Sequence, residues 1–99
     1  MSSFEMRRKA RGFVLLDVKP GMEREIAEKL MEFSEVKETH VIPGQHDLLV
    51  VLEIEREIIT PPSEKIMKFV TELSDKIEGI QNTVTIVPTV SLTKFRESA

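Results

Sequence analysis

The residues best placed to do chemistry lie in the stretch Val41-Ile42-Pro43-Gly44-Gln45-His46-Asp47-Leu48-Leu49-Val50-Val51. A strand runs into a tight corner, an acidic residue follows, and a second, wholly apolar strand begins. Gly44 takes a positive φ at no steric cost, so the backbone turns sharply and its amides point outward. Asp47 sits where the chain re-enters the sheet. Gly44, Gln45, His46 and Asp47 therefore form a candidate site for a small zwitterion, with amides for its carboxylate and Asp47 for its ammonium. Lining such a site, His46 would lend it a pH dependence. The plain alternative is an ordinary tight hairpin in which Asp47 accepts hydrogen bonds from backbone amides.

Other chemistries have less support. His40 and His46 are the only two histidines, and no third ligand at a dedicated spacing joins them, so no metal site is expected. The chain has no Cys, no Gly-x-Ser-x-Gly elbow and no phosphate-binding Gly-rich loop. No catalytic residue, no cofactor and no enzymatic activity are expected. Asp17, Asp47 and Glu53 could face one cavity, but spacing alone does not make an acid/base pair.

Six elements position the corner. Residues 12–18 are apolar and β-prone, and Lys19-Pro20-Gly21 breaks that strand. A helix over 22–33 follows, with Met22, Ile26, Leu30 and Phe33 on one face and Glu23 and Glu25 in its first turn. Residues 36–43 and 48–54 read as strands, and the five apolar residues from 48 to 52 imply burial on both faces. Thr60-Pro61-Pro62-Ser63 opens a second helix that Gly79 stops. Residues 80–90 form the last strand, where Thr83, Thr85 and Thr89 share a side. The glutamates at 53, 55 and 57 read as a solvated edge that deters edge-to-edge pairing.

The order β-α-β-β-α-β is a ferredoxin-like α+β pattern, a four-stranded antiparallel sheet with two helices on one face. Val36, Thr39 and Ile42 match Ile80, Thr83 and Ile86 at an offset of 44, a trace of two related halves. Two helices cover one face only, and the other keeps apolar strand residues. A second copy packed face to face covers that patch most simply, as in a dimeric α+β barrel.

Ninety-nine residues make one domain, expected over 12–94 with a polar tail at 95–99. Net charge is −3, but residues 1–11 carry +3, which leaves −6 on the remainder. The first eleven residues read as a basic flexible arm, and the acidic remainder argues against a duplex-binding face. No stretch resembles a membrane span or signal peptide, so a cytoplasmic protein is expected.

The chain resembles the effector-binding (RAM) domain of the Lrp/AsnC, or feast/famine, transcription regulators. The resemblance rests on Phe13-Val14-Leu15-Leu16-Asp17-Val18-Lys19-Pro20-Gly21, on the corner Val41-Ile42-Pro43-Gly44-Gln45-His46-Asp47-Leu48, and on Gly79-Ile80-Gln81-Asn82-Thr83-Val84-Thr85, and it spans about residues 12–94. Family members carry an N-terminal helix-turn-helix domain, whereas about 11 residues precede the first strand here, so a stand-alone domain without direct DNA binding is expected. The resemblance implies sheet-to-sheet homodimers that assemble into tetramers, octamers or larger discs. It implies an amino acid bound between dimers at Gly44, Gln45, His46 and Asp47, with Thr83 and Thr85 contributed by a neighbouring subunit. It also implies association with full-length regulators. Two other readings stay open: a small dimeric α+β-barrel enzyme using His40 and His46, and an adaptor of a regulator with no ligand of its own.

Overall fold

Strict alternation shapes the first strand of the computed structural model, which describes residues 9–55 and 59–92. In β1 (Lys9–Val18), Ala10, Gly12, Val14, Leu16 and Val18 are buried, while the odd-numbered residues between them are not. The strand begins at Lys9, earlier than its apolar run suggests, because Lys9 and Arg11 alternate with buried Ala10 and Gly12. The end of the expected basic arm, residues 9–11, is thus sheet. Residues 1–8 of that arm and the polar tail at 95–99 lie outside the described residues.

α1 (Glu23–Leu30) is shorter than the expected 22–33, since Met22 caps it and the chain turns after Met31. Phe33 still reaches the core, edge-on to Phe69 with ring centroids 6.0 Å apart. β2 (Val36–Val41) and β3 (Leu48–Glu55) flank the corner. α2 (Pro62–Lys76) starts on a proline, at a position where a missing N–H costs nothing. β4 (Ile80–Ile86) stops short of the expected Val90, as Pro88 removes a ladder donor and residues 87–92 leave the sheet. Among the described residues no helix is long and apolar enough to cross a membrane.

The sheet is antiparallel throughout, in the order β2-β3-β1-β4, with the helices on one face. The fold is the expected ferredoxin-like α+β arrangement. Val14, Leu16, Leu48, Val50 and Leu52 form the helix-side core with Ile26, Leu30 and Ile66, all between 0% and 1% exposed. β3 is flanked on both sides as far as Glu53, whose N–H donates to the Glu35 carbonyl at 2.8 Å, so Glu53 does not guard an edge: it faces Arg11 across the register at 3.4 Å. Arg56 and Glu57 fall outside the described residues.

The opposite face follows from the register. Cross-strand partners share a face, which puts Phe13, Leu15, Leu49, Val51, Val84 and Ile86 together on the side without helices. Val51 is 7% exposed yet stands apart from the helix-side cluster, whereas Val84 and Ile86 are 40% and 47% exposed. The trace of two halves has a structural counterpart. β2 slips register between Val36 and Glu38, and β4 slips between Ile80 and Asn82, so Lys37 and Gln81 occupy matching bulges.

Gly79 fixes the return from α2 to β4. Its φ is +105°, and a Cβ there would stand 2.9 Å from Cδ1 of fully buried Ile26 and 3.0 Å from Sδ of Met22. Gly21 also has positive φ, at +89°, but open space around it. Gly21→Ala should therefore cost about 1 kcal/mol from the backbone alone, and Gly79→Ala more, because the ends of the Ile26 and Met22 side chains must also give way. Urea midpoints at one protein concentration test this, and equal midpoints would contradict the close approach.

Candidate functional site

Asp47 ties the corner to the sheet with three hydrogen bonds. Its N–H donates to the Leu16 carbonyl at 2.9 Å, and its own carbonyl accepts from Ile42 N–H at 2.9 Å, closing the hairpin. Its Oδ2 accepts from Val18 N–H at 2.9 Å. The backbone ladder between β1 and β3 stops at the pair Leu16 and Leu48, and the Asp47 side chain supplies the next acceptor in place of a carbonyl. The capping role weighed for Asp47 from the sequence is therefore present. Its second oxygen, Oδ1, accepts no hydrogen bond from the described residues.

Around Asp47 the loop is open. Gly44 has a φ of +114°, and a Cβ there would meet nothing within 4 Å. Gly44 and Gln45 are exposed, and the amides of Gly44, Gln45 and His46 donate to nothing among the described residues. The corner thus combines three free donors with one free carboxylate oxygen, a charge pattern matched to a zwitterion.

On the helix side, Asp47 and Ile42 line a cleft of about 510 Å³ with Val41, Gly21, Glu23 and Arg24. The last three belong to the turn after β1 and the first turn of α1, and the sequence analysis did not assign them. The signal available for them was the Lys19-Pro20-Gly21 breaker, which requires a loop at this end of the sheet. A larger concavity of about 660 Å³ lies at the far end, where Lys9, Glu55 and Lys68 surround Ile54 and Phe69. It holds no expected site residue, and its mixed charge marks no single ligand class.

His46 turns the other way. Its Nδ1 sits 3.0 Å from Asp17 Oδ1, and Asp17 belongs to the open face of β1, opposite Asn82 of β4. The cleft lining does not include His46. His40 is also on the open face, opposite Leu49, with Nε2 2.8 Å from Glu38 Oε1. The two histidines are thus bound to separate carboxylates, not joined in an acid/base pair. Asp17, Asp47 and Glu53 engage different partners (His46, the Val18 amide and Arg11), so no common acidic cavity forms. Among the described residues no three His, Asp or Glu side chains gather as a metal site.

Thr83 and Thr85 share a face as expected, and it is the helix face, opposite Leu16 and Val14. Leu16 stands between Thr83 and the corner: its carbonyl takes the Asp47 amide on one side, and Thr83 is its register partner on the other. Within the chain the threonines do not line the cleft. Thr89 lies past the end of β4 and is exposed.

No family model matches the chain. Among curated proteins, the HTH-type transcriptional regulator FL11 of Pyrococcus furiosus is 32% identical over 75 residues, 76% of this chain and 45% of that protein. The chain spans less than half the length of the curated relatives it matches. Among solved structures, FFRP-DM1 is 34% identical, with a TM-score of 0.64 over 80% of this chain and 97% of that one. An AsnC family transcriptional regulator from Agrobacterium tumefaciens shares the fold at 19% identity, with a TM-score of 0.71 over 98% of this chain and 61% of that one. The register, the corner and these similarities agree: the chain belongs to the Lrp/AsnC family of transcription regulators and corresponds to its RAM-type α+β domain.

Proposed function

We propose that this chain is an amino-acid-binding regulatory module that self-associates and answers its ligand by shifting among assembly states. The observation that carries this reading is the corner, where three free amides and the free Oδ1 of Asp47 flank a cleft. In the proposed complex the ligand carboxylate meets the amides of Gly44, Gln45 and His46. Its ammonium meets Asp47, and Thr83 and Thr85 of a neighbouring subunit complete the enclosure. A ligand seated between dimers stabilises whichever assembly contains the complete site, by mass action.

The open face supports the self-association part. Six apolar side chains on one sheet surface are the kind of patch that a partner covers, and an isologous contact covers both copies at once. Mixed assemblies with full-length regulators would use the same face and couple the ligand to transcription.

Asp47 has two roles that substitution separates. Asp47→Ala leaves the amide of buried Val18 without its acceptor and should cost about 1–3 kcal/mol of stability. Asp47→Asn keeps an oxygen for Val18 but loses the charge, so it should fold nearly as well and fail to bind. A thermal-shift screen against the twenty amino acids tests the ligand class, since a ligand at about 100 times its dissociation constant adds roughly 2.7 kcal/mol. A shift with wild type that disappears in Asp47→Asn supports the site, and a shift that survives removes Asp47 from it. Replacing Val84 and Ile86 together by Asp should give a monomer by light scattering where wild type gives at least a dimer. A monomeric wild type would refute the assembly.

A further inference from the structure

The carbonyl of Leu16, the side chain of Asp17 and the amide of Val18 are successive groups of β1, and each of them binds the corner. Leu16 accepts from Asp47 N–H at 2.9 Å. Asp17 Oδ1 lies 3.0 Å from Nδ1 of His46. Val18 N–H donates to Asp47 Oδ2 at 2.9 Å. The pairing of β1 with β3 ends at Leu16 and Leu48, but its pairing with β4 continues past that point: Leu16 with Thr83, Asp17 with Asn82 and Val18 with Ile80. The end of β1 is thus held from one side while its other side receives the corner.

We propose that Asp17 is a positioning residue for the corner: by holding the His46 imidazole it keeps the amides of Gly44, Gln45 and His46 in one arrangement before any ligand arrives. Its effect on affinity rests on the reading of the corner as an amino-acid site. Asp17 stands on the open face and does not line the cleft, so it acts through His46 and not by touching a ligand.

Gly44 creates the need. Its φ is +114°, and a Cβ there would meet nothing within 4 Å. A glycine in open space permits the turn but does not hold it. The amides at 44, 45 and 46 donate to nothing among the described residues, and the closing hydrogen bonds lie outside them, at Ile42 and Asp47. Between those two ends, the contact of His46 with Asp17 is the one side-chain hydrogen bond among the described residues. Both side chains are mostly covered, at 28% and 27% exposed, and a contact shielded from water is stronger than a solvated one.

The contact requires a proton on Nδ1. The neutral ring protonated there and the imidazolium both carry one, so the attachment does not hinge on the charge of the ring. A corner that samples several arrangements binds more weakly by the fraction of time it spends in the competent one. Fastening the corner beforehand removes that loss.

The test is a double-mutant cycle on Asp17→Ala, His46→Ala and the double variant, with Asp17→Asn as the conservative change. The first readout is 15N relaxation of the ligand-free proteins. In wild type the order parameters of the amides at 44–46 should be those of rigid backbone, about 0.85, and in each alanine variant they should fall below about 0.6. The double variant should fall no further, because each single change removes the same contact. Asp17→Asn keeps an oxygen to accept from Nδ1 and should retain the wild-type order. The second readout is the thermal shift that each of the twenty amino acids gives at millimolar concentration. If the alanine variants hold the competent corner for about a tenth of the time, dissociation constants rise about tenfold. A shift recorded in wild type at about 100 times the dissociation constant then roughly halves, alike in the single and double variants. A wild-type corner already as mobile as the variants, unchanged order in Asp17→Ala, additive losses, or Asp17→Asn behaving like Asp17→Ala would each overturn the proposal. Loss of order along β3 as well as at the corner would overturn a local role, and a mobile corner with undiminished amino-acid shifts would overturn the effect on affinity. A wild type that no amino acid shifts would overturn the reading of the corner as an amino-acid site, a separate result, and the relaxation data would still decide whether Asp17 positions the corner.

Discussion

The attachment of Asp47 to β1 is the constraint on which the candidate site depends. A hairpin corner of six residues, 42–47, would otherwise be held by its own closure alone. Asp47 binds the carbonyl of Leu16 through its amide and the amide of Val18 through its side chain, so the corner is fastened to the neighbouring strand. The carboxylate is thereby oriented, with one oxygen committed and the other without a partner among the described residues. Preorganisation of this kind matters for a small ligand, because a loop fixed before binding need not lose its freedom on binding.

The same fastening links the two sides of the sheet. Asp47 lines the cleft beside α1, while its neighbour His46 is held by Asp17 on the open face. The two residues are adjacent in the chain, so a shift of the corner moves both contacts together. Any rearrangement that a ligand imposes at Asp47 therefore has a direct mechanical path to the rim of the open face. In the proposed function that link would carry binding at the corner to the open face through His46 and Asp17.

Much of the fold was legible in the sequence. The apolar run from 48 to 52 announced a strand covered on both sides, the proline pair announced the start of α2, and Gly44 announced the corner. What stayed hidden was whatever depends on strand order and register. The Glu-rich end of β3 looked like an edge because nothing local says that β1 will pair beside it. Lys9 and Arg11 looked like a tail because their charges masked the alternation with Ala10 and Gly12. The pairing of His46 with Asp17 joins residues 29 positions apart and exists only once β1 and the corner are neighbours. The face taken by Thr83 and Thr85 depends on the register slip beside Gln81, which composition does not show. The residues of the corner were recognisable individually. Their division between two sides of the sheet was not.

The most direct measurement is hydrogen–deuterium exchange with and without the amino acid found to bind, read at peptide resolution along the chain. Binding at the corner predicts slower exchange in residues 42–47, whose amides at 44–46 are free, and in residues 18–24 along the facing wall of the cleft. Protection confined to the opposite end of the sheet, around Glu55 and Lys68, with the corner unchanged, would contradict the account.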